Sequence, residues 1–352
     1  MKYSLVIPVY NRPDEVDELL QSLTTQTFAD FEVIIVEDGS QTPCRDVCNR
    51  YADRLPLRYF AKDNSGPGQS RNYGVERASG DYVLILDSDV VLPEGYLQAV
   101  DDELQQSPCD AFGGPDRAAD SFTPVQKAIS YSMTSFFTTG GIRGGKKKLD
   151  KFYPRSFNMG IRREVYNRLG GFSQMRFGED IDFSIRIIEA GYTTRLFPGA
   201  WVYHKRRTDF RKFWRQVFNS GIARINLHKR HPGSLKVVHL LPAVFTVGVV
   251  MLALLFVAGI AVAAWLAQLD YGMEQALPLA VSVVSAGLLV FYSAVIFFDA
   301  NCQTGSMHVA ALAVRAAFTQ LMGYGCGFLK AWWLRCIRGK DEFEAYKKNF
   351  YK

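Results

Sequence analysis

Tyr82-Val83-Leu84-Ile85-Leu86-Asp87-Ser88-Asp89 is an apolar run that ends in two carboxylates one residue apart. Five consecutive apolar residues predict a strand buried on both faces, and Gly80 with Asp81 marks the turn into it. The acids then lie at the carboxyl end of that strand. In an open α/β sheet this end faces the ligand crevice, where carboxylate oxygens suit Mg²⁺ or Mn²⁺ holding a diphosphate. A solvated turn is the alternative, since Asp-Ser-Asp is ordinary turn chemistry.

The composition changes near residue 232 in this chain of 352 residues. Charged residues are scattered through the first part, whereas residues 237–267 and 275–298 contain no Asp, Glu, Lys or Arg. Both segments exceed the about 20 residues that cross a hydrocarbon core. Met1 and Lys2 lead directly into a strand-like run without a signal-peptide pattern, so we expect the first part to stay in the cytoplasm.

The basic residues behind the net charge of +6 concentrate in residues 143–151, residues 205–215 and the C-terminal tail. Basic clusters beside membrane segments more often meet anionic lipid or phosphate, so we expect membrane lipid and no nucleic acid as a partner. The six cysteines form no Cys-x-x-Cys pair. Neither a zinc site nor a disulfide framework is therefore indicated, and we expect free thiols.

Strands and helices alternate through the first part of the chain. Residues 3–9, 32–37 and 57–60 have the pattern of strands, and segments with helix signals follow them. This β-α-β-α order predicts a parallel, doubly wound sheet. Three polar strand ends should then meet at one crevice, which favours the metal interpretation over the simple turn. Those ends are residues 8–11, 37–40 and 87–89.

Seven short motifs follow one another along the first part of the chain. They are Val6-Ile7-Pro8-Val9-Tyr10-Asn11, Val36-Glu37-Asp38-Gly39-Ser40, Gly68-Gln69-Ser70-Arg71-Asn72, Leu86-Asp87-Ser88-Asp89, Asn158-Met159-Gly160-Ile161, Gly170-Gly171-Phe172 and Gly178-Glu179-Asp180-Ile181-Asp182-Phe183. Their order and spacing resemble those of family 2 glycosyltransferases over residues 1–230. The resemblance implies a GT-A fold, which is a Rossmann-like, mostly parallel α/β domain, and inverting transfer from a nucleotide sugar.

The resemblance also implies roles for single residues. Asp89 would be the main metal ligand, because the second acid of such a motif points further out of the sheet, and Asp87 would hold ribose or a metal-bound water. His204 would complete the metal or diphosphate site, although a lone histidine is more often structural. Arg71 near the nucleoside could equally be a structural ion pair, and Pro8 and Tyr10 could be strand-end packing. The expected nucleotide contacts are Pro8, Tyr10, Asn11, Glu37, Asp38, Arg71, Asp87 and Ser88, and the expected metal ligands are Asp89, Asp87 and His204.

Glu179 and Asp180 open a predicted helix. Acids in a first helical turn are favoured by the helix dipole alone, which is the structural alternative. Inverting transfer, however, needs a carboxylate that takes the proton of the acceptor hydroxyl, and in the resembled family the Asp of this pair does so. We therefore expect Asp180 to be the base and Glu179 to orient the acceptor or a lid.

A basic, glycine-rich loop follows a helical stretch at residues 123–137. Residues 139–148 show no apolar periodicity and are not expected in the core. A lid over an anionic substrate is one interpretation, because closure would exclude water that competes with the acceptor. A solvated loop on lipid phosphates is the other.

The membrane half begins with an amphipathic pattern. Apolar residues from Phe210 to Ile225 recur at helical spacing, which predicts a helix in the membrane interface, or one packed on the catalytic domain. A third apolar segment, residues 309–329, contains Arg315 and a glycine run at 323–327 that would weaken a straight helix. The basic tail favours the cytoplasmic side, so we expect two full spans and a re-entrant or interfacial third segment.

The resemblance and the membrane patterns together imply a membrane-bound inverting glycosyltransferase of a bacterial inner membrane, with its catalytic domain in the cytoplasm. It would use Mg²⁺ or Mn²⁺ to move a sugar from a UDP- or GDP-sugar to a polyprenyl-linked acceptor in surface polysaccharide assembly. Transfer to bare polyprenyl phosphate, as by dolichyl-phosphate mannose synthase, is one alternative, and a non-catalytic nucleotide-binding membrane scaffold is another. The expected regions are a GT-A domain at residues 1–208, an amphipathic helix at 209–232 and a membrane region at 233–352.

Overall fold

The chain divides into two compact units. The first holds residues 1–120 and 146–205, and the second holds residues 121–145 and 206–352. Most of the segment that we predicted as a lid, residues 140–148, lies outside the described residues. The computed structural model describes residues 2–117, 122–139, 152–175, 177–205, 207–269, 274–342 and 344.

The described part of the first unit contains two sheets. Their strands are β1 Tyr3–Val9, β2 Phe31–Asp38, β3 Leu57–Lys62, β4 Tyr82–Leu86, β5 Val90–Val91, β6 Ala111–Gly113, β7 Asp116–Arg117, β8 Asn158–Arg162, β9 Thr194–Leu196 and β10 Val202–His204. The larger sheet has the order β3-β2-β1-β4-β8-β6-β9, and the smaller has the order β5-β10-β7. In the larger sheet β8 is antiparallel to its neighbours and the other described pairs are parallel, which confirms the predicted mostly parallel α/β sheet.

Apolar clusters cover both faces of the larger sheet. Leu5 and Ile7 of β1 share one buried cluster with side chains of the first and fourth helices, whereas Val6 belongs to a second cluster on the other face. This is the alternation of side chains that a strand requires. A Cβ at Gly74 would lie 2.4 Å from Val6 Cγ1, so glycine there lets the third helix lie against β1. The helices are α1 Pro13–Leu23, α2 Arg45–Asn49, α3 Pro67–Val75, α4 Tyr96–Gln106, α5 Pro124–Thr134, α6 Phe136–Thr139, α7 Arg163–Arg168, α8 Glu179–Glu189, α9 Phe210–Arg230, α10 Leu241–Gln268, α11 Ala276–Thr304 and α12 Met307–Trp332.

The second unit contains two helices that are long and apolar enough to cross a membrane. They are Val237–Gln268, which includes α10, and Ala276–Thr304, which is α11. The 28 residues of α10 extend for about 42 Å at the α-helical rise of 1.5 Å. Both helices expose large apolar side chains, among them Val244, Leu254, Leu277, Val283 and Phe291. Such surfaces need an apolar environment.

The helix α12 runs without interruption through its glycine run, so the expected weakening of a straight helix there is wrong. The glycines lie instead where other helices approach closely. A Cβ at Gly323 would be 2.6 Å from Val217 Cγ2 of α9, and a Cβ at Gly325 would be 2.4 Å from Pro242 O of α10. Small residues permit such close helix packing, which explains the run better than helix weakness does.

The described contacts of α12 with the two apolar helices lie at one end of that pair. The Phe318 ring packs on Phe245 and Tyr292 with centroids 5.7 and 5.6 Å apart, and Thr246 Oγ1 donates to Leu321 O at 3.3 Å. The partners belong to the first turns of α10 and to the second half of α11. α12 itself is not among the segments apolar enough to span a membrane.

The apolar stripe of α9 is covered mainly by α12. Phe213, Val217 and Ile222 are buried, and a Cβ at Gly221 would lie 2.1 Å from Tyr324 O. The stripe that we expected to face lipid therefore meets protein for most of its length. Helical periodicity shows that one face is apolar, but what covers that face depends on the tertiary fold.

The insert that carries α5 belongs to the helical unit. Tyr131 Oη donates a hydrogen bond of 2.5 Å to Asp299 Oδ2 of α11. Ala128 and Ile129 share a buried cluster with residues of α11 and α12. The unit boundary therefore differs from the predicted one, which placed all of residues 1–208 in a single domain.

Candidate active site

The carboxyl ends of β1, β2 and β4 meet at one edge of the larger sheet, because these strands are parallel neighbours. Asp87 and Asp89 follow β4 directly. Their ligand atoms and one of His204 all lie within 4.8 Å of one another. His204 reaches this point because β10 pairs with β5, opposite Val90, and Lys205 N donates to Asp89 O at 3.1 Å. Strand pairing thus brings a distant histidine beside the two acids.

Asp89 is 6% exposed and lies between two nitrogen-bearing side chains. Its Oδ2 accepts a hydrogen bond from Arg12 Nη1, and its Oδ1 lies 3.3 Å from His204 Nε2. Burial alone would raise the pKa of Asp89, but its interactions with His204 and with the guanidinium of Arg12 lower it well below the usual value. Asp89 is therefore ionised at neutral pH.

The residues at this position fit a divalent cation. Carboxylate oxygens suit Mg²⁺, and carboxylates with an imidazole nitrogen suit Mn²⁺. The His204 ring stacks on Phe157 with centroids 5.0 Å apart, which holds its orientation. Its Nε2 faces Asp89, and its Nδ1 is buried without a hydrogen-bond partner among the described residues. Asp87, Asp89 and His204 are the residues that would hold the ion.

Arg71 joins this cluster to the start of α8. It is 4% exposed, and its two terminal nitrogens lie 2.9 Å from Asp87 Oδ1 and 2.9 Å from Glu179 Oε1. The guanidinium also lies over the Phe172 ring, 5.2 Å from its centroid. Of the two interpretations of Arg71, the structure therefore contains the ion pair, and that pair connects the expected metal ligands to the expected acceptor side.

Asp180 lies at the start of α8 and is paired with an arginine. Arg155 Nε donates to its Oδ2 at 2.7 Å, and Ile181 N donates to its Oδ1 at 2.8 Å. Burial raises the pKa of Asp180, but Arg155, Arg71 and the N–H of Ile181 together outweigh that effect and the net pKa is lowered. For Glu179 the balance is reversed, since burial raises the pKa more than Arg71 lowers it. Asp180 is thus the more readily ionised member of the pair.

Charges at the centre of the site are nearly balanced. Four carboxylates face three guanidinium groups, so one negative charge remains if His204 is neutral. A divalent cation would reverse the sign and make the site attractive to a diphosphate. The pairs are Arg12 with Asp89, Arg71 with both Asp87 and Glu179, and Arg155 with Asp180.

Asp38, the expected nucleoside contact, is held rigidly at the end of β2. Lys62 Nζ lies 2.6 Å from Oδ1, which also accepts from Ser65 N at 2.9 Å, and Gly66 N donates to Oδ2 at 2.9 Å. A carboxylate offers about four acceptor positions, so these three donors leave room for one more on Oδ2. Asp38 therefore supports the loop before α3 and retains capacity for a ligand.

Glu37 is 2% exposed and serves the loop after β2. Its Oε2 accepts from Cys44 N at 2.7 Å, and its Oε1 accepts from Ser40 Oγ. Asn11 completes this network, because its N donates to Ser40 Oγ at 2.7 Å and its Oδ1 accepts from Gln41 N at 2.7 Å. The geometry thus favours a supporting part for Glu37 over the direct nucleotide contact that we expected.

The remaining expected contacts differ in exposure. Tyr10 is 44% exposed at the end of β1, Pro8 is half-buried, and Ser88 is buried between the two acids. Sequence reasoning missed Arg12 and Arg155, the partners of Asp89 and Asp180. The sequence offered one indication of Arg12, because this residue directly follows the predicted strand end at residues 8–11.

Comparison with known sequences shows what the first half of the chain is similar to. Residues 4–170 match the sequence model of Glycosyl transferase family 2. The uncharacterized glycosyltransferase YibD of Escherichia coli K12 is 36% identical over 116 residues, which are 31% of this chain and 34% of YibD. The uncharacterized glycosyltransferase EpsJ of Bacillus subtilis is 26% identical over 212 residues, 57% of this chain and 60% of EpsJ. The chain thus spans less than two thirds of the length of these relatives.

The fold is similar to that of the mannosyltransferase PcManGT from Pyrobaculum calidifontis, which was solved in complex with GDP-Man and Mn²⁺. The TM-score is 0.57 at 17% sequence identity, and the match covers 95% of this chain and 88% of that one. At this identity the likeness concerns the fold alone. Residues 4–170 are therefore similar to glycosyl transferase family 2, and the chain has a GT-A-like α/β domain followed by a helical region.

Proposed function

We propose that this chain is a membrane-attached, inverting glycosyltransferase that moves a sugar from a UDP- or GDP-sugar to a lipid-linked acceptor with Mg²⁺ or Mn²⁺. The observation that carries the proposal is the guanidinium of Arg71, which contacts both Asp87 and Glu179 at 2.9 Å. This contact joins one expected metal ligand, Asp87, to Glu179, the chain neighbour of the expected base Asp180. Sugar transfer needs this proximity, because donor and acceptor react in a single site.

The donor would lie along the edge where the parallel strands end. Tyr10 is exposed there and can stack on the base, while Asp38 has one acceptor position left for base or ribose. A bound divalent cation would neutralise charge on the diphosphate and so ease its departure. The fold relative PcManGT was solved with GDP-Man and Mn²⁺, which agrees with a donor of this class.

Asp180 would act as the base. The acceptor oxygen forms a bond to the anomeric carbon, the bond from that carbon to the diphosphate oxygen breaks, and the acceptor proton passes to Asp180. Attack from the face opposite the leaving group inverts the configuration. Arg155 supports this role by lowering the pKa of Asp180, so the base is ionised when the acceptor arrives. Glu179 would orient the acceptor.

Membrane attachment is supported by the two long apolar helices, which expose large apolar side chains along much of their length. We propose that they cross the inner membrane of a bacterium, with the α/β unit on the cytoplasmic side. A polyprenyl-diphosphate oligosaccharide would be the acceptor, in surface polysaccharide assembly. The insert that carries α5 favours it over bare polyprenyl phosphate, because a larger acceptor needs a roomier site. A non-catalytic scaffold would not need a base such as Asp180, whose ionised form is stabilised by Arg155.

The test is nucleotide release by the purified full chain with UDP-, GDP- and dTDP-sugars. Each donor is offered with Mg²⁺, Mn²⁺ or a chelator, and with or without bacterial membrane lipid extract. We expect one donor class to be consumed in a metal-dependent reaction that the extract stimulates and that Asp180→Asn slows by about 10²- to 10⁴-fold. Polyprenyl phosphate as the sole stimulating lipid would select the alternative acceptor. Equal release by Asp180→Asn and the unchanged chain would contradict the proposal.

A further inference from the structure

We propose that Arg12 and a divalent cation compete for the carboxylate of Asp89. Arg12 lowers the affinity of the site for the cation until a bound diphosphate offers Arg12 another partner. The inference rests on the proposed function, because it concerns the metal site of the donor. It adds a residue that controls when the metal binds.

The backbone before Arg12 directs its side chain into the site. Asn11 has a φ of +54°, in the left-handed region that asparagine tolerates better than most residues. Its Oδ1 accepts hydrogen bonds from Gln41 N at 2.7 Å and Thr42 N at 3.0 Å, which hold this conformation. Pro13 begins α1 immediately afterwards. Strained residues of this kind cluster at functional sites, and here the strain determines the course of the chain at Arg12.

The contact itself occupies an oxygen that a metal would use. Arg12 Nη1 donates to Asp89 Oδ2, while Oδ1 of the same carboxylate lies 3.3 Å from His204 Nε2. A cation held by Asp87, Asp89 and His204 would therefore lie beside a guanidinium of the same sign. The two positive charges repel each other at such distances, so each weakens the binding of the other.

The side chain of Arg12 is also able to move away from Asp89. Its side chain is 30% exposed, against 8% for that of Asp89, so it has an open side toward solvent. A diphosphate bound to the metal offers Arg12 an alternative partner, since the planar guanidinium binds phosphate oxygens through two parallel hydrogen bonds. Nucleotide and metal would then favour each other's binding, partly because the nucleotide releases Arg12 from Asp89.

The experiment measures Mn²⁺ binding by electron paramagnetic resonance, without turnover. Arg12→Gln should bind Mn²⁺ alone about tenfold more tightly than the unchanged chain, within the range common for coupled sites. Adding UDP or GDP should strengthen Mn²⁺ binding less in Arg12→Gln than in the unchanged chain. Arg12→Lys keeps the positive charge, so its Mn²⁺ affinity should stay close to that of the unchanged chain.

Two control variants complete the set. Arg50→Gln removes an exposed arginine that pairs with Asp17 of α1, 3.2 Å away, and should leave Mn²⁺ affinity unchanged. Adding Asp89→Asn to Arg12→Gln should abolish the gain in Mn²⁺ affinity, because the carboxylate for which Arg12 and the cation compete is then absent. Equal or weaker Mn²⁺ binding by Arg12→Gln overturns the inference, and so does absence of Mn²⁺ binding in both proteins.

The nucleotide-release assay separates this inference from the proposed function. Tighter Mn²⁺ binding by Arg12→Gln, with no sugar nucleotide consumed by the unchanged chain, would support the competition and defeat the transferase proposal. Metal-dependent transfer by the unchanged chain, with no change of Mn²⁺ affinity in Arg12→Gln, would support the transferase proposal and defeat the competition.

Discussion

The choice of base depends on how single carboxylates are paired. Glu179 and Asp180 are neighbours in one helical turn, yet burial raises the pKa of the first and Arg155 lowers the pKa of the second. A base must be ionised before it can accept a proton. The pairing therefore favours Asp180 for proton transfer and Glu179 for orientation.

Asp180→Asn should leave donor affinity unchanged and lower kcat by about 10²- to 10⁴-fold, the usual contribution of a positioned base. Steady-state kinetics and nucleotide binding on the same preparation measure the two effects. Glu164→Gln is a suitable control, because Glu164 is 76% exposed and forms a surface pair with Arg168. Loss of donor affinity with kcat intact would make Asp180 a binding residue instead.

Arg155→Gln should move the acid limb of the kcat/KM profile to higher pH. Asp180 is active when ionised, and its burial, which raises the pKa, remains while the main opposing charge is removed. Arg71 also lowers this pKa and Glu179 is a neighbouring acid, so the shift should be partial. Activity should recover above the new limb, and Arg155→Lys should restore the original profile. A uniform loss at every pH would point to a structural role only.

Sequence patterns located some of these residues and missed others for physical reasons. A buried strand determines where its last residue lies, so Asp87 and Asp89 could be predicted from a run of five apolar residues. His204 was expected only through the family resemblance, because the two-residue strand that pairs with β10 leaves little trace in the sequence. Arg12 and Arg155 were missed, since the partner of an arginine depends on the path of distant backbone.

Among the elements, the helices of the second unit depend on glycine for their packing. Periodicity predicted the existence of α9 and α12 but left open what covers them. The apolar stripe of α9 is therefore buried by α12 where lipid or the catalytic domain was expected, and the glycines of α12 are contact points where a weakened helix was expected. In both cases the neighbouring helix decides the outcome.

Gly221→Val should destabilise the packing of α9 on α12. Its Cβ would lie 2.1 Å from Tyr324 O and 2.7 Å from Phe328 N, and these backbone atoms have little room to yield. Overpacking of this kind costs about 1–3 kcal/mol, so the thermal midpoint in detergent should fall. Gly248→Val is the matched control, since a Cβ at Gly248 on α10 meets no described atom within 4 Å. Equal midpoints for both variants would contradict the assigned contact.

For the whole molecule, the two proposed spans would return the chain to the side of the membrane on which it starts. Glu274 between the apolar helices and Cys336 after α12 are both exposed. In chains with one cysteine each, an impermeant maleimide should label Glu274→Cys in intact cells and label Cys336 only after permeabilisation. Labelling of Cys336 from outside would require α12 to cross the membrane.

The division of the chain into units has a consequence for proteolysis. The backbone passes between the units near residues 120, 145 and 205, so each unit is assembled from two separate pieces of sequence. After a single cut at any of these junctions, the backbone still joins the two units at the other two junctions. A nicked protein should therefore run as two bands in denaturing gels and as one species in native gels. A fragment ending at residue 205 would carry α5 without the helices that bury Ala128 and Ile129, and would aggregate through that exposed face.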